Sequence, residues 1–178
     1  MQNIAEKQQN AYTALKDTLK LENRMQTPRL QKVVISTGVG KIADPKKIEL
    51  IQDRLARITG QKAAARGAKK SIASFKMRQG DVVGYQVTLR GARMRDFLDK
   101  LINVALPRMR DFRGLSPKAI DEIGNITLGI TEHTIFPETS DEDQRDVFGL
   151  AVTIVTSAKT KEAAETFLRY LGVPLRER

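Results

Sequence analysis

Apolar residues recur along the chain with two distinct periods, and the switches between them divide the sequence into elements. Helical spacing appears over residues 3–20, where Ile4, Ala11, Leu15 and Leu19 fall near one face. It returns after Asp44-Pro45, a capping carboxylate followed by a proline suited to the first helical position. Ile48, Ile51, Leu55 and Ile58 form that stripe, and Gly60 is placed to end the helix. A third helix is expected after Gly91, with Met94, Phe97, Leu98, Leu101 and Ala105 on its apolar side and Pro107 ending it. A fourth begins at Thr160, carries Ala164, Phe167, Leu168 and Leu171, and stops at Gly172.

Between these stretches the period falls to two. Residues 30–37 are rich in β-branched side chains and close on Gly38 and Gly40. Over residues 82–90, Tyr85, Val87 and Leu89 point one way, and Gln86, Thr88 and Arg90 the other. Ile126, Leu128 and Ile130 line one face of a further strand, and Phe148, Leu150, Val152 and Ile154 that of a longer one. Alternation, in place of unbroken apolar runs, predicts a sheet covered on one face only. The expected fold is α+β: a mostly antiparallel sheet, helices packed on one face, and an open polar face. Residues 61–80 (QKAAARGAKKSIASFKMRQG) follow neither period and read as a long basic loop. The chain is expected to be a single domain over 1–178, with a helical extension at 1–23, the basic loop at 61–80 and an acidic loop at 138–147.

Charge sharpens this picture. The net charge is +10, and residues 54–95 hold eleven Lys and Arg against one acid, Asp81. The remainder carries 20 bases and 20 acids, so the whole excess lies in under a quarter of the chain. A polyanion is the natural partner for so concentrated a field; the alternative is a solvated Lys-rich face kept for solubility. Lys62, Arg66, Lys69, Lys70, Lys76, Arg78, Arg90 and Arg93 are the candidates to neutralise phosphate. Phe75 lies among them, and a loop aromatic flanked by cations can stack on an unpaired base; it could equally be an apolar anchor for the loop. An opposite concentration follows, with eight acids and one base between Asp121 and Asp146. It suits either a basic protein partner or a solvated loop.

Other chemistries find little support. There is no cysteine, which excludes disulfides and thiolate metal sites. The N-terminus lacks a secretion-signal pattern and no apolar run is long enough for a membrane span, so a cytoplasmic setting is expected. His133 is the single histidine and has no ligand or triad spacing around it, which points to a structural or an exposed histidine. Gly38-Val39-Gly40 lacks the third glycine of a dinucleotide loop, and Ala68 stands where a phosphate loop needs lysine. Asp96 and Asp99 share a helix face, so a nucleic-acid enzyme using them as metal ligands is one alternative; a DNA-architectural protein is another. No enzyme activity, cofactor or metal is expected.

The strings TPRLQKVVISTGVG (27–40), AKKSIASFKMRQG (68–80), VTLRGARM (87–94), INVALPRMRDFRGLSPK (102–118), GNITLGI (124–130) and AVTIVTSAKTKEAAETFL (151–168) carry a resemblance. Together with ITGQK (58–62) and IFPE (135–138) they cover nearly everything from Arg24 onward. The chain resembles the bacterial large-subunit ribosomal protein family that binds 5S rRNA, conventionally number five of that subunit. The resemblance implies a structural role in translation at the central protuberance. Its implied partners are 5S rRNA, 23S rRNA, peptidyl-site tRNA, neighbouring central-protuberance proteins and, across an intersubunit bridge, small-subunit protein number thirteen. The family's 5S contacts fall on Ser36, Gln61, Phe75 and Thr88, with Lys62 and Arg90 beside them. The segment from Ser71 to Arg78 corresponds to the loop that approaches tRNA. Glu138, Asp141, Glu142 and Asp143 correspond to the bridge. Three positions depart from the family: Ser36-Thr37 replaces Asn-Met, Glu122-Ile123 replaces Gly-Arg, and Ile126 replaces an aromatic.

Overall fold

A computed structural model describes residues 3–42, 44–75, 77–110, 112–140 and 147–176. Among the described residues there are five strands: β1 (Leu30–Gly38), β2 (Ala64–Gly67), β3 (Val82–Leu89), β4 (Ile126–Ile130) and β5 (Leu150–Thr156). They form one antiparallel sheet in the order β2-β3-β1-β5-β4. Four helices accompany it: α1 (Ile4–Leu15), α2 (Pro45–Thr59), α3 (Gly91–Lys100) and α4 (Lys161–Leu171). The α+β expectation therefore holds.

The local signals act as their chemistry requires. Asp44 accepts the Lys46 N–H at 3.0 Å, and Pro45 opens α2. Gly60 closes that helix in the left-handed region at φ 68°, where a side chain would be strained. Thr160 caps α4 through the Ala163 N–H, and Gly172 ends it. Burial alternates along β3, β4 and β5, with Tyr85, Val87 and Leu89 inside and Gln86 and Thr88 outside, as the two-residue period predicts.

Several boundaries differ from the sequence reading. The first helix ends at Leu15, and residues 16–20 turn. Pro107 does not end the third helix. A π-helical turn, Leu101–Ala105, widens the coil, and a final turn, Leu106–Arg108, contains the proline. The basic segment 61–80 contains a strand, β2, that its composition concealed. All four β2 residues are exposed, so no apolar period marks them; pairing with β3 alone holds them.

The chain divides into two compact units, each drawn from separated segments. The first comprises Met1–Val33, Leu89–Leu128 and Thr153–Arg178. Here α1 packs on α3 and α4, burying Ile4, Ala11, Leu15, Phe97, Phe167 and Leu168. The Ile4 N–H donates to Asp99, and the Lys7 ammonium donates to the Leu171 carbonyl at 2.8 Å. The second comprises Val34–Thr88 and Gly129–Val152, with Ile35, Ile51, Leu55, Val87 and Phe136 in its core. There β1 and β3 approach so closely that a Cβ on Gly84 would stand 2.7 Å from the Thr37 carbonyl oxygen.

Candidate nucleic-acid interface

The basic segment leaves α2 through a fixed turn. The Thr59 hydroxyl, 2.6 Å from the Leu55 carbonyl and 3.0 Å from that of Gln61, ties the helix end to the departing chain. Ala63 is buried and anchors the exit, while Gln61 and Lys62 stay exposed.

The chain then runs as β2 along the edge of β3, with Ala64 opposite Gln86, Ala65 opposite Tyr85 and Arg66 opposite Gly84. Directly opposed residues share a face, so Arg66 lies on the open side with Gln86. Its Nε donates to the Gln86 side-chain oxygen at 2.6 Å. The guanidinium is thereby held against the sheet with its remaining donors available. Thr88 follows two residues on, half-buried on the same face. The register breaks between Arg66 and Gly67, and bonds linking Ala68 with Asp81 and Gly80 close the base of the arm.

The arm's tip is ordered too. Ile72 and Met77 exchange backbone hydrogen bonds of 3.0 and 3.3 Å around a 3₁₀ turn, Ala73–Phe75. The Ser71 hydroxyl accepts the Gln79 N–H at 2.9 Å, and the Asp81 carboxylate accepts that of Arg78 at 2.8 Å. Asp81, the single acid of residues 54–95, therefore braces backbone. Phe75 is 70% exposed at this tip, so it does not anchor the loop. Lys69, Lys70, Ser71 and Arg78 are also exposed, and neither Lys62, Arg66, Lys69, Lys70 nor Arg78 pairs with an acid among the described residues. Lys76 lies outside the described residues, as do Asp141, Glu142 and Asp143.

The start of the basic stretch is different. Asp53 accepts from Arg54 at 3.1 Å and from Arg57 at 3.0 Å, so a neighbour just outside the counted window already engages two of its charges. Ser36 is half-buried on β1 beside a shallow trough of about 480 Å³. Gly38, Gly129 and Gly149 contribute to its lining, so backbone is accessible there without an intervening side chain. Neither the trough nor Gln86's hold on Arg66 was identified from sequence, since each depends on residues brought together across strands.

In the first unit, Arg90 precedes α3 in extended conformation, and Arg93 lies on its first turn; both are exposed. Glu138 is exposed in the 3₁₀ turn Pro137–Thr139. His133 is fully buried, stacks on Phe148 with ring centroids 4.1 Å apart, and accepts the Phe148 N–H at its Nδ1. Of the two roles its isolation in the sequence leaves open, structural or exposed, burial selects the structural one. Asp99 receives the first N–H of α1. Among the described residues no group of three metal-ligating side chains converges, and no helix is long and apolar enough to cross a membrane.

A half-open antiparallel sheet flanked by an ordered basic arm defines the class: a basic α+β scaffold protein. Comparison makes it particular. Residues 23–78 match the family model of ribosomal protein L5, and residues 82–175 match the model of that ribosomal family's C-terminus. Large ribosomal subunit protein uL5 of Rubrobacter xylanophilus is 52% identical over 94% of both chains. The proteins of that name from Halothermothrix orenii and Desulfotalea psychrophila are 49% and 48% identical, each over 92% of both chains. The chain belongs to the ribosomal protein L5 family. It is a structural protein of the large ribosomal subunit that serves translation, and not an enzyme.

Proposed function

We propose that this chain binds 5S rRNA through the open sheet face and the basic arm, and so attaches it to the central protuberance. Phe75 carries the reading. A large aromatic exposed among cations that, among the described residues, have no acidic partner is costly to keep in water, and it is suited to stack on an unpaired base. Gln61, Lys62, Ser36, Thr88 and Arg90 supply further 5S contacts, with hydroxyl and amide groups for base edges and cations for phosphate. Arg66, held by Gln86, takes phosphate in a fixed orientation.

The same reading gives the arm's tip two tasks. Lys69, Lys70, Ser71, Lys76, Arg78 and, on α3, Arg93 contact phosphate of 23S rRNA or of peptidyl-site tRNA. Glu138 with Asp141, Glu142 and Asp143 meets the basic small-subunit protein number thirteen. Support for these finer roles comes from the matching motif positions and from the exposure of the described side chains. The first test is competition: the purified chain is offered labelled 5S rRNA against duplex DNA at moderate salt. Preference for 5S rRNA is the expected result, and equal affinity overturns the reading in favour of a DNA-architectural protein.

A further inference from the structure

A second gathering of cations lies in the first unit, away in sequence from the basic arm. Arg24 and Arg29 follow α1 in the chain, and Arg95 comes from α3; all three line one groove of about 550 Å³ together with Gln8, Tyr12 and Thr27. No acidic side chain lines it, and none of the three arginines pairs with an acid among the described residues. Cations gathered on one groove without counter-charge repel one another, and an anion relieves that repulsion.

Two further observations specify the anion. Thr27 is only 7% exposed, yet its hydroxyl has no hydrogen-bond partner. The side-chain oxygen of Gln8 is likewise buried and unpartnered. Buried polar atoms in folded proteins are nearly always satisfied, so two orphans on side chains that line one groove can take a ligand's polar group once the side chain turns toward it. An amide oxygen can only accept. A phosphate diester has nothing to donate, whereas a ribose 2′-hydroxyl donates and accepts. The rim adds Met25, which is 74% exposed with its sulfur 3.5 Å from an Arg29 nitrogen, and Tyr12 offers a ring.

We infer that this groove holds a stretch of ribosomal RNA backbone, its phosphates on Arg24, Arg29 and Arg95 and a 2′-hydroxyl on Thr27 or Gln8. The 2′-hydroxyl separates RNA from DNA, and membership of a ribosomal family makes ribosomal RNA the available polyanion. This goes beyond the sheet-and-arm reading and does not depend on it.

The test uses the full chain assembled into ribosomes, with a photoreactive benzophenone side chain in place of the exposed groove residue Gln9. Irradiation is expected to join position 9 to ribosomal RNA. Cross-links to protein alone, or none from incorporated chain, overturn the inference. A second benzophenone at Gln79 reports on the arm, so failure of one site is read separately from failure of the other. Thr27→Val supplies an independent arm. Removing an unpartnered buried hydroxyl leaves the unfolding midpoint unchanged or raises it. Affinity for deproteinised large-subunit rRNA is expected to fall roughly fivefold, the equivalent of one neutral hydrogen bond. Unchanged affinity in Thr27→Val and in the Arg24→Gln, Arg95→Gln double variant refutes the site.

Discussion

The arm from Gln61 to Gly80 and helix α4 use their side chains in opposite ways. In α4, Ala164, Phe167, Leu168 and Leu171 are all buried, and charged residues occupy the other face. Among the described residues of the arm only Ala63 and Ala68 are buried, both small, and the large residues Phe75 and Ile72 face outward. The arm is nonetheless ordered, by backbone pairing, two side-chain braces and a register break. Order and burial are therefore separate properties in this protein. Main-chain hydrogen bonds shape the arm and leave its side chains free to meet a partner, whereas packed α4 commits its large side chains to the core.

This contrast can be broken at either end. The largest effect is expected from Phe167→Ala, which should lower stability by about 3–5 kcal/mol in denaturant unfolding. A loss under about 1 kcal/mol would mean that α4 is not the packed element its burial indicates. Phe75→Ala should weaken 5S rRNA binding by ~1–3 kcal/mol while the unfolding midpoint stays put. A sharply lowered midpoint would show that the arm, too, rests on packing.

Two smaller effects refine the comparison. Neutralising Lys69 and Lys70 to Gln should reduce the slope of log affinity against log salt by roughly 0.7 per lost single-strand phosphate contact. An unchanged slope would remove both lysines from the interface. The smallest effect concerns Asp121, in a turn of the first unit. Partial burial would raise its carboxyl, but hydrogen bonds from Asn125, at 2.7 Å from the backbone and 3.0 Å from the side chain, and from the Ile123 and Gly124 N–H groups outweigh that. Its pKa lies below the usual 3.8. A depressed folded-state pKa contributes stability above the unfolded value, and that contribution is lost as pH falls through the folded one. Asp121→Asn should flatten the acid limb of the stability curve slightly; an identical acid limb would discount these bonds.

How much of this was legible in the sequence follows from the same distinction. Buried elements announce themselves through period and caps: β3, α2 and α4 appear where Tyr85-Val87-Leu89, Asp44-Pro45 and Thr160 place them. Elements without burial do not. β2 is written in Ala, Arg and Gly and exists only because β3 offers an edge. Charge counting found the arm but treated Arg54 and Arg57 as equivalent to Lys69, because it could not see Asp53 engaging both. The groove around Thr27 was invisible for a further reason: its arginines are spread from position 24 to position 95, and no local window joins them.

The bond from Lys7 to the Leu171 carbonyl spans 164 positions, and with it the packing of α1 on α4 has a consequence for biogenesis. Contacts this distant in sequence close late, because the loop entropy between them must be met before they contribute. While the chain is being made, α1 can meet α3 first, and the face bearing Ile4, Ala11 and Leu15 is fully covered only once residue 171 has emerged. The packing of α1 on α4 is thus among the last contacts of the first unit to form, after the strands and helices that lie between them in the chain have been made.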